Sequence, residues 1–283
     1  MSETTVRTVR IGHSPDPDDA FMYYAIAKGK VDTAGFHVVQ VLEDIESLNR
    51  RALAGELEVT AISIHAYAHL ADRYALMSCG ASMGDGYGPI VVAREAFSPT
   101  ELARKTIAIP GTLTSAYLAL RLYVGSEFPF IVVPFDEILD AVADGKADAG
   151  LIIHEGQLTY ARHGLAKLAD LGLWWGERTG SLPLPLGGNA VRRDLGADAM
   201  RGLTKMYRDS IAFALDHRAE ALAYAKDFGR GLDDPTNDRF VGMYVNALTL
   251  DYGERGRRSI QLFLDQVISA GIVPPVAPVT FVA

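Results

Sequence analysis

Apolar and polar residues alternate along the first part of the chain in a pattern that predicts strands and helices in turn. Short apolar stretches predict strands at residues 6–11, 36–42, 59–64 and 74–78, and amphipathic spacing predicts helices at residues 18–28, 45–54 and 66–73. This order is typical of a parallel sheet covered by helices. We therefore expect an α/β fold.

The alternation resumes after a glycine-rich stretch at residues 80–89. It predicts strands at residues 90–93, 105–109, 130–135 and 149–153, and helices at residues 116–123 and 136–144. Beyond residue 196, apolar residues recur at spacings of three and four. This spacing predicts helices at residues 197–216, 218–228, 235–248 and 254–270, followed by an extended tail.

Two clusters of glycine and proline, near residues 90 and 187, separate these groups of elements. We interpret them as two crossings between two lobes. Residues 1–92 and 188–283 would form the first, discontinuous lobe, and residues 93–187 would form the second, inserted lobe. Proteins with this organisation bind a ligand in the cleft between the lobes and close on it.

The apolar run at residues 149–153 ends abruptly at His154, Glu155 and Gly156. In an open α/β sheet, ligands bind at the carboxyl ends of strands, so a side chain at this point faces the bound molecule. An imidazole titrates near neutral pH and is a suitable general base. The alternative is a structural histidine that hydrogen-bonds to backbone at the strand end.

A second candidate site lies at the turn of residues 110–115, which leads directly into a predicted helix. The first turn of a helix presents unpaired N–H groups and partial positive charge, and Thr112, Thr114 and Ser115 add hydroxyl groups at the same point. This combination suits a carboxylate. The alternative is an ordinary helix cap without a ligand.

The loop after the first predicted strand leads into a helix through Asp16, Pro17 and Asp18. Asp16 can cap this helix, and proline fits its first position. Whether Asp16 and Asp18 also contact a ligand is left open by the sequence. We expect these side chains to face one another across the cleft: His13, Ser14 and Ser63 on one side, and His154, Thr114 and Ser115 on the other.

The composition indicates which kinds of binding partner and which cellular compartment to expect. The chain has 35 acidic and 27 basic residues, a net charge of -8, which argues against nucleic acid or an anionic membrane surface as the partner. The single cysteine, Cys79, cannot form an internal disulfide and is expected to fill apolar space. The N-terminal residues lack the apolar core of a secretory signal, and no apolar run reaches the ~18 residues of a membrane helix. We expect a cytoplasmic protein.

Five stretches spread over most of the chain carry a recognisable pattern: residues 14–21 (SPDPDDAF), 42–49 (LEDIESLN), 110–117 (PGTLTSAY), 150–155 (GLIIHE) and 183–188 (PLPLGG). Together, and in this order, they resemble the menaquinone-biosynthesis family of the futalosine pathway. Any one of these motifs is weak evidence, but the five in order are specific for the superfamily.

The resemblance implies a two-lobed fold like that of type II periplasmic binding proteins. It also implies cleavage of cyclic dehypoxanthinyl futalosine, a small-molecule carboxylate, to 1,4-dihydroxy-6-naphthoate with loss of a three-carbon sugar fragment. No metal or organic cofactor is implied. In this family the histidine that matches His154 is regarded as the proton acceptor, and further positions are expected to bind the substrate: Ser14, Ala61, Ile62, Ser63, Thr114 and Ser115.

The chain departs from the family pattern at three positions. Asp16 and Asp18 stand where the family usually has Cys and Asn, and Ala61 stands where it usually has Lys. These changes predict a more acidic pocket mouth and make Asp16 and Asp18 candidate substrate contacts.

Two hypotheses of different classes follow. The main one is a carbon–carbon lyase that needs no cofactor and uses His154 as its general base. The alternative is a solute-binding protein of the same fold that captures a small aromatic carboxylate without chemistry. A dehydratase acting on chorismate shares the fold, but the motifs around His154 give it little support.

Overall fold

The strands form two separate sheets in the computed structural model, which describes residues 7–125 and 127–283. Strand β1 pairs in parallel with its neighbours β2 and β3, and β11 runs antiparallel to β3, β4 and β5. The strands of this first sheet are β1 (Thr8–His13), β2 (His37–Leu42), β3 (Val59–Ser63), β4 (Tyr74–Met77), β5 (Ser82–Gly84), β11 (Leu184–Arg192) and β12 (Phe281–Val282).

The second sheet is built from the middle of the chain. Its strands are β6 (Ile90–Ala93), β7 (Ile107–Ile109), β8 (Phe130–Val132), β9 (Ala149–Ile152) and β10 (Ala166–Asp170), in the order β10-β6-β9-β7-β8. Strand β7 is parallel to β8 and β9, whereas β6 is antiparallel to β9 and β10. Both sheets are therefore mixed, although the order of elements predicts parallel pairing.

Helices cover both sheets, and the last five lie in the C-terminal third of the chain. They are α1 (Pro17–Ala27), α2 (Ile45–Ala54), α3 (Ile64–Tyr67), α4 (Pro99–Leu102), α5 (Ser115–Val124), α6 (Ile138–Ala143), α7 (Gly156–Thr159), α8 (Leu171–Thr179), α9 (Ala197–Asp216), α10 (Arg218–Ala225), α11 (Asp234–Tyr244), α12 (Ala247–Leu250) and α13 (Gly253–Ser269). Within the described residues, no helix combines the length and the apolar character that crossing a membrane requires.

The helices predicted at residues 45–54 and 197–216 are confirmed with the same bounds. Helix α2 begins after Asp44, whose carboxylate accepts hydrogen bonds from the N–H groups of Glu46 and Ser47, and it ends at Gly55 in the left-handed conformation. Both signals are local in sequence. The first predicted strand is also present, although Val6 lies outside the described residues.

No strand is predicted at residues 184–192, yet β11 lies in the middle of the first sheet. Its segment contains Pro185, Gly187 and Gly188, which are poor strand formers. Packing explains one of these glycines, because a Cβ atom on Gly188 would lie 2.3 Å from the hydroxyl oxygen of Tyr252. The short strands β5, β10 and β12 are missed as well.

The chain enters the second sheet between β5 and β6 and returns to the first sheet between α8 and β11. This arrangement agrees with the expected two-lobed α/β fold. The exact division at residues 92/93 and 187/188 stays a prediction.

Helix α1 is buried on nearly every side, from Pro17 to Ile26, and packs against α9, α10 and α11. Its first turn includes Asp18 and Asp19, each only 9% exposed. The fold thus places two carboxyl groups of one helix end in the interior, where their ionisation depends on nearby charges.

Candidate active site

A cavity lies between elements of the two sheets. On the side of the first sheet, the loop after β1, the end of β3 and part of β11 line the cavity. On the side of the second sheet, the start of α5 and the residues after β9 line it. The structure brings together nine of the residues proposed from the sequence: Ser14, Asp16, Asp18, Ala61, Ile62, Ser63, Thr114, Ser115 and His154.

His154 follows β9 by two residues and has a backbone φ of 61°. Only a few per cent of residues other than glycine have a positive φ, although histidine is found there more often than most, and such conformations are concentrated at functional sites. The imidazole Nδ1 lies 3.2 Å from Asp16 Oδ2, and the ring meets Phe135 edge-on, with the two ring centroids 4.4 Å apart. The ring is therefore held on two sides, and its Nδ1 faces a carboxylate.

Asp16 occupies the position before α1, but its side chain makes no capping hydrogen bond. The predicted cap is therefore wrong for the side chain. Asp16 Oδ2 instead accepts a hydrogen bond from the Ser14 hydroxyl at 2.6 Å, and Oδ1 accepts one from Arg230 at 2.7 Å. Burial alone would raise the pKa of Asp16, but the neighbouring His154, Arg230 and these hydrogen bonds hold it below its ordinary value. Asp16 is a buried, ionised carboxylate.

The pKa of Asp19 shifts in the opposite direction to that of Asp16. Asp19 Oδ2 accepts a hydrogen bond from the Ser14 backbone N–H at 2.9 Å and lies 2.8 Å from the Ser14 hydroxyl oxygen. Burial raises the pKa of Asp19, and the neighbouring His13 and the Ser14 hydrogen bonds offset only part of that rise.

Asp18 lines the cavity, and its Oδ1 atom is buried without a hydrogen-bond partner among the described residues. Burial, followed by the charges of Asp19 and Asp16, raises its pKa well above the ordinary value. A carboxyl oxygen without a partner in this position is available to a bound molecule. In the protein without ligand it is a cost to stability.

We expect Asp18→Asn to raise the free energy of unfolding at pH 7 by about 1–3 kcal/mol. A carboxyl group whose pKa is raised in the folded state destabilises the protein as the pH rises from the unfolded-state pKa to the folded-state pKa. The gain in stability from Asp18→Asn should therefore shrink toward pH 4. The measurement is urea denaturation between pH 4 and 8. Asp198→Asn, at the same position of α9 but exposed, is the control and should change little. An equal gain at pH 4 and pH 7 would contradict this explanation.

Ser63 and Ser115 each accept a hydrogen bond and keep a hydroxyl proton to donate. Ser63 Oγ accepts from the Asn49 side-chain amide at 3.0 Å, and Ser115 Oγ accepts from the His65 backbone N–H at 3.1 Å. Both serines are buried and line the cavity. They are therefore positioned hydrogen-bond donors for a ligand.

Thr114 is the N-cap of α5. Its Oγ1 accepts a hydrogen bond from the Tyr117 backbone N–H at 3.2 Å and donates one to the Gly111 carbonyl at 3.0 Å. The capping interpretation of the sequence is thus correct for this hydroxyl. The backbone N–H groups of Ser115 and Ala116 begin the helix beside the cavity, where α-helices have no internal acceptor for them.

Loss of this cap should be measurable. We expect Thr114→Ala to lower the free energy of unfolding by about 1 kcal/mol, whereas Thr114→Ser, which keeps the hydroxyl, should lower it by much less. Urea denaturation at pH 7 compares the two variants. Equal losses would show that the methyl group of Thr114, and not its hydroxyl, stabilises the helix start.

His13 does not face the cavity, contrary to the expectation from the sequence. It is fully buried, with Nδ1 donating to the Ser14 carbonyl at 2.8 Å and Nε2 lying 2.7 Å from the side-chain nitrogen of Gln40. Burial lowers its pKa. His13 is a neutral structural residue that supports the loop at residues 14–16.

Several contributors to this site are missed by the sequence reasoning. Gln157 Nε2 donates to the Tyr244 hydroxyl at 2.8 Å, so a residue after β9 meets one on α11 at the cavity wall. Arg230, between two glycines, is read from the sequence only as a break between helices. The sequence pattern gives little indication of a role for Arg230, because the residues that it contacts are distant in sequence. Within residues 7–125 and 127–283, no group of three or more His, Cys, Asp or Glu residues is arranged to hold a metal ion.

The sequence profile of a family described as menaquinone biosynthesis matches residues 9–268. A relative from Thermus thermophilus named 1,4-dihydroxy-6-naphthoate synthase is 44% identical over 270 residues, 95% of this chain and 97% of the relative. A relative of the same name from Streptomyces coelicolor is 39% identical over 276 residues, 96% of each chain.

Solved structures agree. A crystal structure of a protein from Archaeoglobus fulgidus superposes with a TM-score of 0.89 at 47% identity, covering 94% of this chain and 98% of its own. The periplasmic aliphatic sulphonate-binding protein of Escherichia coli superposes with a TM-score of 0.65 at 13% identity, covering 97% and 91%. At that identity the likeness shows the fold alone, and it confirms the fold expected from the sequence. The profile and the two relatives show that the chain belongs to the menaquinone biosynthesis family.

Proposed function

We propose that this chain is a carbon–carbon lyase that converts cyclic dehypoxanthinyl futalosine to 1,4-dihydroxy-6-naphthoate without a cofactor. The names of the two curated relatives support the product. The observation that carries the mechanism is the 3.2 Å contact between His154 Nδ1 and the buried carboxylate of Asp16. A carboxylate beside Nδ1 favours the tautomer that is protonated there, which leaves the Nε2 lone pair for a substrate.

In this mechanism His154 is the general base. Its Nε2 takes the proton of a substrate hydroxyl, and the electron pair of that O–H bond forms a new carbonyl on the departing three-carbon fragment. The carbon–carbon bond breaks as this carbonyl forms, and its electron pair moves onto a conjugated carbonyl of the remaining ring system, which becomes an oxyanion. The imidazolium then returns the proton to the product. General-base help of this kind is typically worth about 10²–10⁴-fold in rate.

The start of α5 is the proposed binding site for the negative charge of the substrate. The N–H groups of Ser115 and Ala116 and the hydroxyls of Ser63 and Ser115 can donate to a carboxylate or an oxyanion. The remaining proposed contacts are Ser14, Ala61, Ile62, Thr114, Asp16 and Asp18, all on the cavity wall. The substrate is thus a small-molecule carboxylate, and the cytoplasmic location expected from the sequence remains part of the proposal.

Incubation of the purified chain with cyclic dehypoxanthinyl futalosine tests the reaction. We expect mass spectrometry to detect the naphthoate and the released three-carbon fragment in equal amounts. Absence of both products, together with a thermal shift caused by an aromatic carboxylate, would overturn the lyase and favour the solute-binding alternative.

A further inference from the structure

Arg230 connects the loop before α1 to the turn that carries His154. Its Nη2 donates to Asp16 Oδ1 at 2.7 Å and to the Pro15 carbonyl at 3.2 Å, and its Nη1 donates to Glu155 Oε1 at 2.9 Å. Pro15 and Asp16 follow β1 of the first sheet, and Glu155 follows β9 of the second. The guanidinium therefore bridges the two halves of the cavity.

The ring of Phe135 lies against both charged groups. The Arg230 Cζ atom is 4.6 Å from the centroid of this ring, and the His154 ring centroid is 4.4 Å from it. A guanidinium over an aromatic ring gains a cation–π contact, which is stronger when the pair is shielded from water. Phe135 thus fixes the guanidinium and the imidazole relative to each other.

The backbone at Arg230 is strained. Its φ is 46°, and it lies between Gly229 and Gly231 in the connection from α10 to α11. Among the described residues other than glycine, four have a positive φ, and two of these, Arg230 and His154, contact the same carboxylate. Strain of this kind persists only where surrounding contacts hold it, and it clusters at functional sites.

The electrostatics follow from these contacts. Asp16 is 2% exposed, and burial by itself favours its neutral form. Burial also lowers the pKa of Arg230, but the charges of Asp16 and Glu155 raise it above its ordinary value. His154 and Arg230 together hold the pKa of Asp16 below its ordinary value, and Arg230 occupies Oδ1, which leaves Oδ2 for His154 and Ser14.

We propose that Arg230 is a positioning residue of the reaction, which acts through Asp16 and Glu155 to hold His154 with its Nε2 directed to the substrate. The expected effect of Arg230 on turnover rests on the proposed function. Its effect on the position and tautomer of His154 does not depend on the substrate.

Arg230→Met tests the proposal because it keeps an unbranched side chain over Phe135 and removes the charge and the hydrogen bonds. We expect kcat to fall by about 10–100-fold, with KM changed by less than about threefold, since a misplaced base slows the chemical step more than binding. Arg230→Lys should recover part of the loss, because it restores the charge without the forked geometry. Arg218→Met is the matched control. Arg218 also pairs with a carboxylate, Asp238 at 2.6 Å, and lies 5.5 Å from the Phe21 ring centroid, but neither of these partners lines the cavity, whereas Asp16 does.

Nitrogen NMR of the histidine side chains supplies a readout that needs no substrate, with His154 assigned from the spectrum of His154→Gln. At a pH at which the ring carries no charge, we expect the single proton on Nδ1 in the parent chain and in Arg218→Met, and a mixture of tautomers in Arg230→Met. An unchanged His154 spectrum in Arg230→Met would overturn the proposal. So would a rise in KM without loss of kcat. If the parent chain has no turnover, the proposed function fails, and the spectra alone still decide the role of Arg230.

Discussion

His154→Gln should turn over cyclic dehypoxanthinyl futalosine about 10²–10⁴-fold more slowly than the parent chain. The amide of glutamine can still meet Asp16 but cannot accept a proton near neutral pH. Binding should change much less, because the donors at the start of α5 and Ser63 are untouched. Product formation is measured by mass spectrometry. Binding of the same substrate is measured by isothermal titration calorimetry, at a concentration of the variant at which turnover is negligible.

His163→Gln is the control for this experiment. His163 also has its Nδ1 beside a carboxylate, 3.1 Å from Asp140 Oδ1, but this pair is at the surface and outside the cavity. Its turnover should equal that of the parent chain. If His154→Gln retained turnover within a factor of two, a different residue would have to be the base. If it lost binding and turnover equally, His154 would be a ligand contact and not a base.

Asp16→Asn should lower turnover by about 10²-fold or more, although the substitution changes a single atom. Asparagine can present its NH₂ group to His154 Nδ1, and this favours the imidazole tautomer protonated on Nε2, which cannot act as the base. A residue that only preceded a helix would tolerate this change, because Asn is as good a cap as Asp. Steady-state kinetics and the nitrogen NMR spectrum of His154 measure the two effects together.

The same variant should be less stable at pH 7, by about 1–3 kcal/mol, because Arg230 and Ser14 lose their charged acceptor. The folded-state pKa of Asp16 is below its ordinary value, so its stabilisation is present above the unfolded-state pKa and is lost as pH falls through the folded one. The difference from the parent chain should therefore shrink under acid conditions. Asp18→Asn should shift stability in the opposite direction at pH 7. A gain in stability for Asp16→Asn would contradict the ionised assignment.

Much of the local structure could be predicted from the pattern of residues. Helix α2 carries its own start and stop in Asp44 and Gly55, and Thr114 is recognisable as the cap of α5. These signals involve residues within a few positions of one another. In contrast, β11 has weak strand propensity and is held by pairing with β3, β4 and β5, which are distant in sequence.

The site shows the same contrast. The nine predicted residues meet at one cavity because they lie at the carboxyl end of a strand, just after a strand or at the start of a helix, where an α/β sheet places its ligand site. His13 was expected beside them and is instead a buried support, since one position along a strand reverses the direction of a side chain. Arg230 could not be found in this way, because it belongs to a connection between helices and meets Asp16 across 214 positions of the chain.

The sequence by itself determined the α/β class, the bounds of α2 and α9, nine residues of the cavity and the resemblance to a menaquinone-biosynthesis family, since each depends on periodicity, caps or motifs within a short segment. The tertiary structure alone decided the mixed pairing of the sheets and the opposite pKa shifts of three carboxyl groups within four residues. Asp16 is ionised beside His154 and Arg230, whereas the pKa of Asp18 and of Asp19 is raised. The physical reason is that burial and the distance to an opposite charge set the ionisation of a carboxyl group, and both arise only when distant segments pack together.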